Sequence, residues 1–391
     1  MNAAILLSRQ MLFPSKNTPW IKKVCEAMRL IKKENLTLIT SVGTQTWEML
    51  IVIAKIQLVK QIIFVTADSI ADFESRSKYY ESQFKLDLDY SIKPIIVENE
   101  KKSEILKKRD SVILDKADIL IPISIREKGN MSELLLKADQ RKIWSNFEIN
   151  YKEKKKTEVT TELSNSTLSL YSGHFFLTRS INDAEVNGMY AITSPNRFLN
   201  KKICLDDYYI HWTRTSKQKW WDENLYDHYF NILQSDTYPK SAFNTLMHIF
   251  ENLKINGSSR HLSKNNKCVS FTGAKFESFE KLMRWRKRYN EMSFEPYGVG
   301  IEKKIAIIKG IEKVKYLTVN EMQKIKISDK WKYQSIGKNG NWSLEDEYRF
   351  NGNVDLISIP SDKIIGICTN KKEALLIKNK FNIFAYSIYE E

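Results

Sequence analysis

The pattern of apolar and polar residues changes character near residue 150. Before that point, short apolar runs alternate with stretches whose apolar residues recur at helical spacing, which is typical of a parallel sheet with crossover helices. We therefore predict a doubly wound, Rossmann-like α/β domain. Its predicted strands are 3–7, 36–40, 61–66, 92–97 and 118–124; its predicted helices are 20–33, 47–58, 101–108 and 131–138, with 110–114 irregular.

The later part of the chain favours a different class, in which strands do not alternate regularly with helices. Segregated helices and strands indicate an α+β domain. A charge run at 152–156, followed by a Ser/Thr/Asn-rich stretch, indicates a linker, so we predict domains at 1–150 and 186–391 joined by 151–185. Predicted strands of the second domain are 208–213, 268–272, 298–302, 315–319, 347–350 and 356–359; its predicted helices are 226–234, 242–252 and 277–290.

Composition argues against disordered, fibrous, disulfide-rich and membrane-spanning classes of protein. An apolar fraction of 42% over 391 residues suffices for packed cores and argues against a disordered chain, and 13 glycines and 8 prolines argue against a fibrous one. The four cysteines form no CxxC pair and the histidines show no ligand spacing, so neither a disulfide scaffold nor a metal site is expected. No apolar run is long enough for a membrane span, and the apolar N-terminus indicates a buried strand; we expect a cytoplasmic protein.

The net charge of +15 has two interpretations. It favours polyanionic partners by long-range attraction, or it reflects a lysine-rich composition. A basic cluster around Trp285 is a candidate nucleic-acid contact, in which its cations would bind phosphates and the Trp285 ring would stack on a base. The alternative is a solvated helix face. The cluster consists of Arg284, Arg286, Lys287 and Arg288.

Three small polar loops of the first domain follow predicted strands. They cover 8–10, 40–46 and 129–132, and ligands of open parallel sheets bind at the carboxyl ends of strands. Small residues before a helix let backbone N–H groups approach a phosphate. Ordinary turn and helix-capping chemistry would produce similar loops.

The order of these motifs resembles one Rossmann-like superfamily, which includes the DNA-processing protein A fold, cytokinin-activating phosphoribohydrolases and SLOG nucleotide-sensor domains. Residues 1–150 carry the resemblance, but the glycine signatures of the phosphoribohydrolases are absent, so a nucleoside-phosphate hydrolase is the least favoured hypothesis for this domain. The resemblance implies binding of a nucleotide or a nucleic-acid backbone; the alternative is an interaction scaffold. The implied site residues are Arg9, Ser41, Gly43, Arg109, Gly129 and Asn130.

The second domain carries residues suited to glycosidic substitution on NAD. His211 and Thr213 are two apart on a predicted strand and should share its face. A glutamate stabilises an oxocarbenium-like centre, and Glu347 is the candidate, with Glu345 as runner-up. The alternatives are a core histidine and a solvated strand edge paired with Arg349.

Residues 190–365 resemble a second family. The ordered set HWTR, CVSFT, FEPYGVGI and EDEYR is similar to proteins grouped with AbiG-type abortive-infection proteins and, more distantly, resembles the DarT-like branch of ADP-ribosyltransferases. The resemblance implies NAD as cofactor. The implied residues are His211, Thr213, Arg214, Arg260, Ser270, Thr272, Tyr297 and Glu347.

The two resemblances together suggest an anti-phage, abortive-infection defence protein. In this hypothesis a nucleotide-sensing domain controls an NAD-using ADP-ribosyltransferase-like toxin domain, alone, as a homo-oligomer or with a neighbouring defence protein. The alternative is a non-catalytic nucleic-acid-binding protein or antitoxin-type partner.

Overall fold

The computed structural model describes most of the chain outside 150–203. The described residues are 1–10, 13–87, 89–98, 100–149, 176–177, 190–191, 204–259, 267–276, 282–283, 285–286, 291–336 and 345–388, with the backbone alone at 141, 176–177, 190–191, 285–286 and 291.

The described residues form two compact units. Unit 1 takes those of Met1–Val159 together with Lys217–Pro239, and unit 2 takes those of Thr160–Ser216 and Lys240–Glu391. The division differs from a simple N-terminal and C-terminal pair, because Lys217–Pro239, predicted to be part of the second domain, belongs to unit 1.

Unit 1 is an α/β fold with a five-stranded parallel sheet, which confirms the predicted class. Its strand order is β4-β3-β2-β1-β5. Helices cover both faces of the sheet. Its central strands are therefore continuous apolar runs, such as the fully buried Ala3–Leu6. The elements are β1 Asn2–Leu7, α1 Pro19–Lys33, β2 Thr37–Ser41, α2 Gln45–Gln57, β3 Gln61–Ala67, α3 Ile70–Phe84, β4 Tyr90–Ile96, α4 Lys102–Lys116, β5 Ile119–Ser124, α5 Asn130–Lys137 and α6 Leu225–Gln234.

Two helices of unit 1 correct the sequence interpretation. Helix α3 was missed because Phe84 is its one buried residue, so it has no apolar stripe; the bond from the Asp72 N–H to the Ser69 side chain was its visible start signal. Helix α4 continues through 110–114, so the prediction of irregular structure there is wrong. Arg109 and Ile113 share its buried face four residues apart, and the charge of Arg109 hid that periodicity.

Unit 2 is built on a seven-stranded, mostly antiparallel sheet. Its strand order is β9-β10-β7-β6-β8-β11-β12, and β11 and β12 pair in parallel. The elements are β6 Tyr208–Trp212, α7 Ala242–Asn252, β7 Cys268–Thr272, β8 Gly298–Glu302, α8 Lys303–Ile308, β9 Glu312–Lys313, α9 Val319–Lys324, β10 Glu347–Asn351, β11 Ile364–Cys368, α10 Lys371–Phe381 and β12 Phe384–Ser387.

Short elements complete the described structure. Two-residue or three-residue strands pair as Phe176–Leu177 with Tyr190–Ala191, Lys254–Ile255 with Val354–Asp355, Trp285–Arg286 with Glu291–Met292, and Lys315–Leu317 with Tyr333–Ser335. Short 3₁₀ helices lie at Gln140–Lys142, Leu205–Asp207, Ile327–Lys332 and Ser361–Lys363.

Two predictions for the second domain are wrong where the chain is described. Trp285–Arg286 is a strand of a small hairpin, so a continuous helix over 277–290 does not form. Residues 356–359 form a turn instead of a strand, and β11 and β12 lie further along the chain. In the described parts of the chain, no helix has the length and apolar content needed to cross a bilayer.

Candidate functional site

The carboxyl edge of the parallel sheet in unit 1 brings together loops that are distant in sequence. Strand β1 lies between β2 and β5, so the direction of strand order reverses between β1 and β5. Ligands of open α/β sheets bind in the crevice at this switch point. The loops after Leu7, Ser41 and Ser124 therefore form the edge of unit 1 that is suited to a ligand.

The loops after β1 and β5 are bonded to each other. The Ser8 N–H donates to the Ser124 carbonyl at 2.9 Å, and the Arg126 N–H donates to the Ser8 hydroxyl oxygen at 2.9 Å. Arg9 and Arg126, one from each loop, both have exposed side chains. Arg9 was predicted as a site residue; Arg126 was not, although its place two residues after a strand was a usable signal.

Arg109 is a buried brace. Its Nε and Nη2 donate to the Asp110 Oδ1 at 2.9 and 2.7 Å, and its Nη1 donates to the Val42 carbonyl at 3.2 Å. Its guanidinium carbon lies 5.8 Å from the ring centroid of Trp47, and its side chain is 6% exposed. Arg109 therefore ties α4 to the turn after β2.

The same network reaches the start of α5. The Asn130 Nδ2 donates to the Asp110 Oδ2 at 3.2 Å, so one carboxylate joins Arg109 to the helix that follows β5. The neighbouring Gly129 N–H donates to the Ser132 hydroxyl at 3.1 Å. The structure thus connects the predicted residues Arg109 and Asn130, while Asp110, which links them, was missing from the predicted set.

The two predicted residues at the turn after β2, Ser41 and Gly43, have different environments. Ser41 is fully buried, and its hydroxyl donates to the Phe64 carbonyl on β3 at 2.7 Å, so it joins strands within the sheet. Gly43 is exposed, with a φ of +88° that favours glycine, and its N–H donates to the Glu48 Oε1 at 2.9 Å.

In unit 2, the sheet separates the predicted catalytic residues. Ile210 pairs with Thr272, and Thr272 pairs with Glu347, so these three side chains share one face. Successive side chains of a strand alternate, so His211 lies on the opposite face. Ser270 shares the face of Glu347. A single site that holds both His211 and Glu347 does not fit this sheet.

Glu347 is held by a neighbouring arginine on its own strand. The Arg349 Nε and Nη2 donate to its two carboxylate oxygens at 2.8 and 3.0 Å, and the two side chains are 7% and 12% exposed. The pairing weighed for Arg349 is present, but it is buried and not solvated. Glu345 does not share the strand face, because β10 begins at Glu347 and Asp346 has a φ of +40°.

The other predicted residues of this domain make local contacts. The His211 Nδ1 lies 2.9 Å from the Ser270 carbonyl, and burial lowers the pKa of His211. The Thr213 hydroxyl lies 2.9 Å from the Ala242 carbonyl and 3.1 Å from that of Tyr297. The Tyr297 hydroxyl donates to Glu373 at 3.1 Å.

Among the remaining predicted residues, the structure describes the side chain of Arg214, which is half-buried. Arg260, Arg284, Lys287 and Arg288 lie outside the described residues, and Arg286 is described by its backbone alone. Nucleic-acid contact through that cluster stays a prediction. Over the described ranges, no group of three or more His, Cys, Asp or Glu side chains is arranged to hold a metal ion.

Sequence reasoning missed a buried carboxyl group in unit 2. Glu295 is 2% exposed, and its two oxygens accept the Thr215 N–H at 2.6 Å and the Thr215 hydroxyl at 3.2 Å. Burial raises the pKa of Glu295 to about 8, although the backbone bond opposes this shift. The proline and aromatic residues around Glu295 in the sequence offered a weak signal of burial.

Glu295 predicts a pH dependence of stability. With a folded-state pKa of about 8, this carboxyl group keeps its proton at pH values where the unfolded chain has lost it. The free energy of unfolding should therefore fall as pH rises from about 4.5 to 8, by up to about 1.4 kcal/mol per pH unit. Urea denaturation across this range measures the slope; Glu295→Gln should flatten it, and an unchanged slope in that variant contradicts the prediction.

Comparison with known proteins adds no relative: no family model and no curated protein matches this sequence.

Proposed function

We propose that unit 1 binds a nucleotide through its phosphates in the crevice between the loops after β1 and β5. The observation that carries this proposal is the placement of Arg9 and Arg126, two exposed arginines on two mutually bonded loops at the switch point of a parallel sheet. Guanidinium groups bind phosphate oxygens in paired, charge-assisted hydrogen bonds.

Two further features support an anion at this edge. Helix α5 begins directly after the β5 loop, and the N-terminus of a helix favours negative charge. The buried network of Arg109, Asp110 and Asn130 holds the surrounding loops in place before a ligand arrives. A site that is ordered in advance loses less conformational entropy on binding.

The wider role is proposed from the family resemblances. In this proposal, nucleotide binding by unit 1 controls unit 2 in an abortive-infection defence protein, and unit 2 transfers ADP-ribose from NAD with Glu347 as its catalytic residue. His211 has no part in that site, because it lies on the other face of the sheet. A non-catalytic nucleic-acid-binding protein is the alternative, motivated by the charge of +15.

Isothermal titration calorimetry with ATP tests nucleotide binding. We expect ATP to bind and adenosine to bind far more weakly, because adenosine has no phosphates. Arg9→Ala and Arg126→Ala should each weaken ATP binding at least about tenfold, the scale of one hydrogen bond to a charged group.

The matched control is Arg29→Ala. Arg29 is also exposed, but it lies near the end of α1, which runs back towards the amino edge of the sheet. This variant should bind ATP like the wild type. Absence of ATP binding to the wild type, or equal weakening by all three substitutions, contradicts the proposal. Binding of DNA or RNA that falls steeply with salt, without ATP binding, would favour the alternative.

A further inference from the structure

One carboxylate in unit 1 joins the turn after β2 to helix α6. The Glu48 Oε1 accepts the Gly43 N–H at 2.9 Å, and the Glu48 Oε2 accepts the Tyr229 hydroxyl at 2.6 Å. Tyr229 is 5% exposed and lies on α6, which comes from the segment Lys217–Pro239. Glu48 and Tyr229, 181 positions apart in the sequence, are thus bonded to each other, and Glu48 is bonded to the turn after β2 at the carboxyl edge of the sheet.

The Gly43 end of this link faces open space. Gly43 is exposed, and a Cβ placed on it would have no heavy atom within 4 Å apart from those of Gly43 and its chain neighbours. Its N–H donates to a carboxylate, and carboxylate and phosphate oxygens accept hydrogen bonds from the same donors. The internal carboxylate therefore takes the donor that an anionic ligand at this turn would use.

The Tyr229 end is buried, so the loss of its bond has a consequence. Burial raises the pKa of Tyr229 well above its usual range, which keeps the hydroxyl protonated and able to donate. A buried hydroxyl without a partner is unfavourable. If Glu48 moves away, α6 must shift or open to give this hydroxyl another partner.

We infer that Glu48 acts as an internal anion that a bound nucleotide phosphate displaces from Gly43, releasing Tyr229 and loosening α6. The inference rests on the proposed nucleotide binding and deepens it. With the nucleotide between the loops after β1 and β5, one of its phosphates reaches the turn after the adjacent strand β2, where it regulates α6. No covalent step is involved. The phosphate takes the Gly43 N–H from Glu48 Oε1, and the like charges of phosphate and carboxylate repel each other, so the Glu48 side chain moves and its Oε2 loses the Tyr229 hydroxyl.

Hydrogen exchange of the full-length protein, with and without ATP, tests the displacement. In the wild type, saturating ATP should speed exchange of the Leu225–Gln234 amides at least about threefold, because α6 loses its bond to Glu48. In Tyr229→Phe, ATP should bind but leave α6 exchange unchanged, since that bond is already absent. Tyr226→Phe, a matched control on the same helix, should respond to ATP like the wild type.

The outcomes separate this inference from the proposed function. Wild-type protein that binds ATP by calorimetry but shows unchanged α6 exchange overturns the inference and leaves the function standing. An ATP effect on α6 that persists in Tyr229→Phe overturns it as well. Wild-type protein that does not bind ATP overturns the proposed function, and the inference with it. Glu48→Gln gives a second readout: ATP should bind it about three- to fivefold more tightly.

Discussion

The Arg109→Ala variant is expected to lose about 3–5 kcal/mol of unfolding free energy, the usual cost of removing one partner of a buried ion pair. Its partner Asp110 has a side chain only 13% exposed, so without Arg109 its negative charge would be buried with no opposite charge, although the Asn130 amide still donates to it. The Val42 carbonyl would also lose its donor, and Trp47 would lose a packed guanidinium. Urea denaturation followed by tryptophan fluorescence measures the change.

A second substitution separates the charge effect from lost packing. In Arg109→Ala/Asp110→Asn the stranded negative charge is absent, so the double variant should be more stable than Arg109→Ala alone. If the double variant is as unstable as the sum of the two single variants, the ion pair is not the cause. Arg9→Ala serves as the exposed control and should change the unfolding free energy by no more than about 0.5 kcal/mol.

The Arg349→Ala variant is expected to be at least as destabilised, again by about 3–5 kcal/mol. Arg349 is buried and donates to four acceptor groups at once. Besides Glu347, these are the Trp331 and Tyr333 carbonyls, each at 3.1 Å, and the Gln334 Oε1 at 2.7 Å. Loss of the guanidinium leaves all four without this donor, so β10 should separate from the segment that carries Trp331.

Comparison with Glu347→Gln decides whether Glu347 is catalytic or only a partner of Arg349. Glutamine keeps an oxygen for Arg349, so this variant should lose only about 1–3 kcal/mol. We expect it to fold and to abolish release of nicotinamide from NAD. Folded Glu347→Gln protein with undiminished NAD turnover would show that the carboxylate is structural and would remove it from the proposed transferase site.

The roles of Arg109 and Arg349 could not be predicted from the sequence. Both arginines lie in stretches that the sequence marked as candidate sites, and residue type alone is compatible with a ligand contact or a brace. The choice depends on backbone carbonyl groups elsewhere in the chain, such as those of Val42 and Trp331. Such partners are invisible to local pattern, because no periodicity connects them.

Local sequence by itself determined the parallel sheet of unit 1. The apolar runs of β1, β2, β3 and β5 follow from burial on both faces, and Pro19 starts α1 because its fixed φ suits a first helical turn. The loops at the carboxyl edge followed from the same alternation. Helix α3 escaped prediction because it buries only Phe84 and therefore shows no apolar stripe.

Only the tertiary structure decided which candidate residues meet. Strand pairing put His211 and Glu347 on opposite faces, although both lie in strands that the sequence predicted. Long-range contact also assigned Lys217–Pro239 to unit 1 and joined Glu48 to Tyr229. The physical reason is that periodicity reports the burial of one element at a time, whereas register and long-range hydrogen bonds depend on which elements pack together.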